Sequence, residues 1–335
     1  MSDQPRSSIQ LQATPAYSPS GAVIVVTYNS SSHIDRCLDS LKSHGLGWPV
    51  IVVDNGSTDG TQQLLRLSHP SVALLTPSAN LGFAGGCNAG VAKAGSVDFY
   101  LFLNPDVILQ GGALEKLIAT ARERGAGAVG AQLTDSRGRY QHGFAVRGLP
   151  TPWFLALDLL LVNHLWPRNP AASRVRIPSF DPSRDQLVEQ PAGACLLVAS
   201  RAFTEIGGFD DQFHPLWFED VDLCRRLKDR GFKIWYCSAA RVLHAGGHSL
   251  GTVSPFEAKA FWYANLVRYA EKHFGRSWAR ALRGLVVIGT LLRGLISLVH
   301  WRARDARTVD QFRLMWRALS KGNVQSWYKV NSSPR

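Results

Sequence analysis

Six short stretches gather residue types able to handle a phosphorylated, hydroxyl-bearing ligand. Thr27-Tyr28-Asn29 and Asp54-Asn55-Gly56-Ser57-Thr58-Asp59 each follow an apolar run. A carboxylate there can accept from a base N–H or a ribose hydroxyl, and a Gly-Ser turn lets backbone N–H groups approach a ligand. The same residues would also serve as a plain turn and helix cap. Asn80-Leu81-Gly82-Phe83-Ala84-Gly85-Gly86-Cys87-Asn88 leads three glycines and two asparagines into a helix, a surface open to a nucleotide or its phosphates. It is not a Walker A loop, since no GK[ST] follows, and the GFAGG spacing does not fit GxGxxG.

Asn104-Pro105-Asp106 offers one carboxylate at the end of an apolar run. Mg²⁺ or Mn²⁺ bridging two phosphates needs only one or two protein carboxylates, because the diphosphate supplies other oxygens. Pro105 stiffens the turn. Trp217-Phe218-Glu219-Asp220-Val221-Asp222 crowds three acids into the start of a helix. The helix dipole accounts for one or two of them but not for the aromatics just before. A carboxylate beside an aromatic platform for a sugar can deprotonate an acceptor hydroxyl. His244-Ala245-Gly246-Gly247-His248 adds two histidines among glycines, able to complete a metal shell or contact a diphosphate.

These stretches need elements to hold them. Ala22–Thr27, Val50–Val53, Val72–Leu75, Phe99–Leu103, Ala128–Leu133, Ala194–Ala199 and Lys233–Cys237 read as strands. Ser32–His44, Thr58–Leu67, Gly82–Lys93, Leu114–Glu123 and Glu219–Arg230 read as helices. Strand alternating with helix predicts βαβ units, a mostly parallel sheet, and a ligand at the carboxyl ends of the strands, where the polar clusters fall. Residues 137–190, rich in Pro, Arg and Trp, read as an irregular insertion. Residues 1–20 read as a flexible leader rather than a signal peptide.

The formal charge of +12 is unevenly spread. Residues 265–335 hold 14 Lys and Arg against 3 Asp and Glu, so the rest is nearly neutral. The tail reads as helical. Ala281–Val299 is apolar but broken by Arg283 and Arg293, with an uncharged core too short to cross a bilayer. An interfacial helix on an anionic membrane surface fits this pattern, and a helix packed on the core is the plainer reading. Trp and Arg alternate in the tail, but no nucleic-acid-binding module is recognisable, and no nucleic-acid partner is expected. A sugar-phosphate nucleotidyltransferase would need a Gly-rich loop bearing Arg or Lys after the first strand, where this chain has TYNSSS. Five scattered cysteines without a CxxC pair read as reduced thiols.

In order and content the stretches VVTYNS, VVDNGSTDGT, NLGFAGGCNAG, FLNPDV, GACLLV, GGFDDQF, FEDVDLCRRL and HAGGHS resemble glycosyltransferase family 2, a GT-A group, and within it the rhamnosyltransferase-like branch. The resemblance spans about Gly21 to Ser249. It implies an α/β GT-A fold, a Rossmann-like sheet flanked by helices, over residues 21–250, with a basic helical C-terminal region over 251–335. It implies an inverting transferase that takes a sugar from a nucleotide-diphosphate donor to a saccharide or lipid-linked saccharide in cell-surface polysaccharide assembly. Rhamnose from dTDP-rhamnose is the first expectation, a UDP- or GDP-linked sugar the alternative.

By the same resemblance Thr27, Asn29, Asp54, Asn80, Gly82, Asn88 and Asn104 would hold the nucleotide sugar. Asp106 and His244 would hold Mg²⁺ or Mn²⁺, with His248 a second candidate. Asp220 would be the general base and Glu219 its neighbour, with Trp217 and Gly193 at the acceptor and residues 137–190 a possible acceptor region. Asn104 stands where many GT-A enzymes have the first Asp of DxD, leaving less charge for a metal. The expected location is cytoplasmic, peripheral at the inner face of the membrane.

Overall fold

A computed structural model of the chain describes residues 20–246 and 254–299. Four apolar runs, β1 (Gly21–Thr27), β2 (Val50–Asp54), β3 (Ala73–Leu75) and β4 (Phe99–Leu103), form a parallel block. β5 (Val107–Leu109), β6 (Ala126–Thr134), β8 (Gln186–Leu187), β10 (Cys195–Ala199) and β11 (Lys233–His244) complete a nine-stranded sheet. Its order is β3-β2-β1-β4-β10-β6-β11-β5, with β8 paired to β11. β10 runs antiparallel between β4 and β6, and β5 and β8 run antiparallel to β11, so six strands share one direction. β7 (Val146–Arg147) and β9 (Gln190–Pro191) make a separate two-stranded ribbon.

Helices cover both faces. α1 (Ile34–His44) and α4 (Ala113–Arg124) close one core layer, with Leu38, Leu41, Leu114 and Leu117 against Val23, Leu101 and Val129. α2 (Thr61–Ser68) adds Leu65 to it. α3 (Gly82–Ala94) and α8 (Ser200–Glu205) belong to the layer on the other face, around Ile24, Phe102 and Leu196. The glycines of α3 serve this packing: a Cβ on Gly86 would sit 2.8 Å from Val26, and one on Gly90 2.5 Å from Ile24. Only a helix without those side chains can lie so close to β1.

The 137–190 stretch is not irregular throughout. It carries α5 (Pro152–Leu159), α6 (Val162–Leu165) and α7 (Pro170–Arg176). Thr151 and Asn169 cap α5 and α7, each with Pro at the first helical position. Helices of one or two turns are too short for periodicity to show in the sequence.

The final core strand also runs seven residues past its expected end. A bulge between Cys237 and Arg241 lets β11 continue along β6 and reach β5, where His244 pairs with Val107. That register sets His244 beside Asp106.

α9 (Glu219–Asp229), α10 (Pro255–Phe274) and α11 (Arg276–Val299) follow, α10 starting at a Ser254/Glu257 capping box. α10 and α11 pack with α5 in a third core of Leu155, Leu159, Leu266, Leu282 and Val286. α11 therefore buries one face on the protein, and Arg293 donates to the Leu159 carbonyl at 2.9 Å. Its outer stripe, Ala281, Gly284, Ile288 and Leu291, is exposed. Among the described residues no helix is long and apolar enough to cross a membrane.

Candidate active site

A cavity of about 610 Å³ opens at the carboxyl ends of β1 and β4, within the size range of small-molecule sites. Thr27, Tyr28, Asn55, Asn80 and Gly82 form one wall. Asn55 shapes it by accepting from Leu81 N at 3.1 Å and donating to the Gly82 carbonyl at 3.0 Å. Gly82 has φ +71° and would press any Cβ within 2.8 Å of the Pro215 carbonyl, so only glycine fits there.

Asn104, Asp106 and His244 meet at the next corner. Asp106 is buried rather than displayed, although it lines the cavity. Its Oδ2 accepts from Gly246 N at 3.2 Å, while its buried Oδ1 has no hydrogen-bond partner. His244 Nε2 lies 3.7 Å from that Oδ1. Gln141 fixes the imidazole: its Nε2 donates to the His244 carbonyl, so its Oε1 is left to accept from Nδ1 at 2.8 Å. Burial lowers the His244 pKa, against the pull of Asp106, and favours the neutral ring. Nε2 then presents a lone pair toward an unpartnered carboxylate oxygen. Two acceptors facing one another suit a divalent cation. Among the described residues there is no cluster of three His, Cys, Asp or Glu that could hold a metal ion. His248 lies outside the described residues.

Asp220 occupies another wall. Its Oδ2 accepts from Gln190 Nε2 and Gly193 N, each at 3.1 Å, and its Oδ1 from Val221 N at 2.8 Å. A Cβ on Gly193 would come within 3.1 Å of the Asp220 Cβ, so the glycine lets the main chain reach the carboxylate.

The three acids of α9 have three environments. Asp220 faces the cavity. Glu219 is buried, with no hydrogen-bond partner at Oε2, and burial followed by the Asp220 charge pushes its pKa well above the ordinary carboxylate range. Asp222 is fully buried and paired with Arg226 at 2.7 Å and with Lys272 and His273 of α10 at 2.8 Å. Trp217 lines the cavity and, like Phe218, is left-handed, at φ +74° and +70°, a strained setting for an aromatic residue. Asn265 of α10 holds that bend by donating to the His214, Leu216 and Trp217 carbonyls.

Thr27, Asn80, Gly82, Asn104, Asp106, Gly193, Trp217, Glu219, Asp220 and His244 thus come together around one cavity. Three sequence-expected nucleotide residues stand off its wall. Asn88 is engaged by Phe209, donating to its carbonyl at 2.9 Å and accepting from its N–H at 3.0 Å. Asn29 accepts from Thr58 N at 2.7 Å and braces the loop after β2. Asp54 is fully buried, its Oδ1 accepting from Gly56 N, Ser57 N and Gln62 Nε2 and its Oδ2 unpartnered. Conversely, Gln141, Phe144, Arg147, Gln190 and Trp262 lie at or beside the site with no sequence signal beyond residue type, because the β6–β7 loop, two short strands and a tail helix deliver them.

This sheet, with an acid and a histidine at its carboxyl edge and a clamped carboxylate across the cavity, is that of a GT-A glycosyltransferase. Similar solved structures include GalNAc-T7 with UDP, GalNAc and Mn²⁺ (TM-score 0.50, 13% identity, 68% of this chain and 44% of that one). S. aureus TarS 1-349 in complex with UDP-GlcNAc is another (TM-score 0.50, 16% identity, 90% of this chain and 81% of that one). At these identities they speak to the fold alone.

The sequence profile of Glycosyl transferase family 2 matches residues 22–163. The N-acetylglucosaminyl-diphospho-decaprenol L-rhamnosyltransferase of Mycobacterium tuberculosis is 34% identical over 306 residues, covering 86% of this chain and 97% of its own. Rhamnosyltransferase WbbL of Escherichia coli is 26% identical, covering 72% and 88%. The chain belongs to glycosyltransferase family 2, in its rhamnosyltransferase-like branch, and is a glycosyltransferase.

Proposed function

We propose that this enzyme transfers rhamnose from dTDP-rhamnose, with inversion, to a saccharide carried on a lipid diphosphate in cell-surface polysaccharide assembly. The observation that carries the reading is the pairing, in one cavity, of the Asp106–His244 corner with the clamped Asp220. The names of the mycobacterial and E. coli relatives support the sugar, and the former supports the acceptor class.

Thr27, Asn80, Gly82 and Asn104 line the donor side, with Asn29 and Asp54 shaping the loop behind it. Asp106 and His244 would hold Mg²⁺ or Mn²⁺. Bound there, the cation would offset the charge developing on the departing diphosphate. Gln190 and Gly193 direct Asp220 at the acceptor hydroxyl, whose proton it takes as the oxygen attacks the anomeric carbon from the face opposite the leaving group. Neutral Glu219 adds no second negative charge beside the base. Trp217 supplies an aromatic surface for the acceptor sugar.

A membrane-proximal site at the cytoplasmic face fits a lipid-linked acceptor. The exposed Ile288 and Leu291, the adjacent Arg280 and Arg283, and the lack of any acid in α11 support docking on anionic lipid.

The test is turnover with dTDP-rhamnose, UDP- and GDP-sugars, each with and without Mn²⁺, on a short polyprenyl-diphosphate N-acetylglucosamine. Transfer from dTDP-rhamnose, lowered roughly 10²–10⁴-fold in Asp220→Asn, is expected. Full activity in that variant would remove Asp220 as base, and transfer only from another donor would remove the rhamnose assignment.

A further inference from the structure

One arm of the cavity is lined by the β7–β9 ribbon and by α5, α7 and α10, where no sequence motif falls. Two cations reach this arm, Arg147 and Arg176. Arg147 is the unusual one. Among the described residues no carboxylate pairs with it, and its Nε is buried without a hydrogen-bond partner. Its guanidinium lies 5.9 Å from the centre of the Phe144 ring, the ring that stacks on His244 at 5.0 Å. A half-buried guanidinium with an unmet donor is costly unless a ligand completes it.

Its place is set by register. Arg147 stands directly opposite Gln190 across β7 and β9, so the two side chains leave the same face of the ribbon. Gln190 reaches Asp220. The strand also meets α7 closely: Gly148 N donates to the Val175 carbonyl at 2.8 Å, and a Cβ on Gly148 would lie 2.4 Å from the Arg174 carbonyl. That contact brings Val175 and Arg176 to the same arm. Phe154, Leu155, Val175 and Trp262 add apolar surface to the same cavity.

Around Asp220 the cavity therefore combines a carboxylate, two guanidinium groups and apolar side chains. A molecule matching that set carries a hydroxyl, a phosphate and a hydrocarbon chain. We infer that Arg147, assisted by Arg176, is a specificity residue that binds the diphosphate of the lipid-linked acceptor. The inference rests on Asp220 marking the acceptor side. The donor diphosphate is the other source of the same chemistry, and the experiment separates the two.

Arg147→Met and Arg147→Lys are compared with wild type in two readouts. The first is kcat/KM for a short polyprenyl-diphosphate N-acetylglucosamine against that for the neutral alkyl glycoside of the same sugar. A charge-assisted, two-point contact predicts a preference of roughly tenfold to a hundredfold for the diphosphate in wild type. It should fall toward unity in Arg147→Met and be partly kept in Arg147→Lys, with KM for the nucleotide sugar unmoved.

The second readout needs no turnover: the thermal shift given by a short isoprenyl diphosphate, and separately by the free nucleoside diphosphate. The isoprenyl diphosphate shift should vanish in Arg147→Met while the nucleoside diphosphate shift stays. An acceptor preference and isoprenyl diphosphate shift unchanged in Arg147→Met would overturn the inference, as would loss of the nucleoside diphosphate shift instead. Absence of transfer by wild type with every donor would remove the proposed reaction, while the binding readout still decides the role of Arg147. Unliganded melting temperatures of the variants, and Arg176→Gln as a second substitution, guard against misfolding.

Discussion

Glu219→Gln tests the division of labour between the two adjacent acids. Burial raises the Glu219 pKa above its unfolded value, near 4.5. Folding therefore takes up a proton between the two values. The stability linked to that group is fully present below about 4.5 and is lost as pH rises toward the folded pKa. Within that window each pH unit upward removes about 1.4 kcal/mol. For a chain of this size that is roughly 2–3 °C of melting temperature per unit. Glutamine has nearly the same shape and no proton to lose, so the variant drops this slope.

The assay is the melting temperature of both proteins from pH 5 to 8 in matched salt, read as a difference so that titrations common to both cancel. Glu219→Gln should gain on wild type steadily with pH. Its transfer activity should stay within several-fold of wild type, because a neutral side chain replaces a neutral one. Parallel curves would mean that Glu219 is ionised in the fold and would refute the burial argument. Loss of transfer equal to that of Asp220→Asn would move the base to Glu219.

Three further outcomes follow from the geometry. In Asp106→Ala the Mn²⁺-dependent part of the thermal shift given by a nucleoside diphosphate should disappear while the protein stays folded. An undiminished Mn²⁺ effect would place the metal elsewhere. Asp222→Ala strands Arg226, Lys272 and His273 around a lost buried partner and should destabilise by about 3–5 kcal/mol in urea unfolding; a loss under 1 kcal/mol would show that the network adds little. Ile288→Glu with Leu291→Glu should abolish cosedimentation with anionic vesicles at low salt without lowering the melting temperature, since both side chains face outward. Retained vesicle binding would exclude this stripe as the contact.

The parallel half of the sheet was legible because each of its strands is a continuous apolar run ending in a polar cluster, a pattern that survives without neighbours. β5 was not, because three residues after Asn104-Pro105-Asp106 make sense as a strand only once β11 extends to meet them. The same extension places His244, so the motif could name the histidine while the reason for its position lay in the Cys237–Arg241 bulge. The glycine-rich stretch shows the opposite failure. Its composition suggested ligand approach along its whole length, yet Gly86 and Gly90 serve contact with β1 and Asn88 serves Phe209. Residue type marks a close approach without saying whether a ligand or the protein does the approaching.

The tail carries the same lesson to the function. Charge and apolar pattern set it apart as an appendage for a surface partner, and the outer stripe of α11 keeps that reading open. But α10 lends Trp262 to the cavity wall, Asn265 to the strained bend before α9, and Lys272 and His273 to Asp222. Asp220 is held by Gln190 of the β7–β9 ribbon and by Gly193 in the turn after it, and from the tail through the bend at Trp217 and Phe218. The carboxylate is thus positioned by two regions far apart in the chain. Contact between α11 and a membrane would meet the outer side of the same packed core of α5, α10 and α11, whose α5 and α10 give Phe154, Leu155 and Trp262 to the cavity wall.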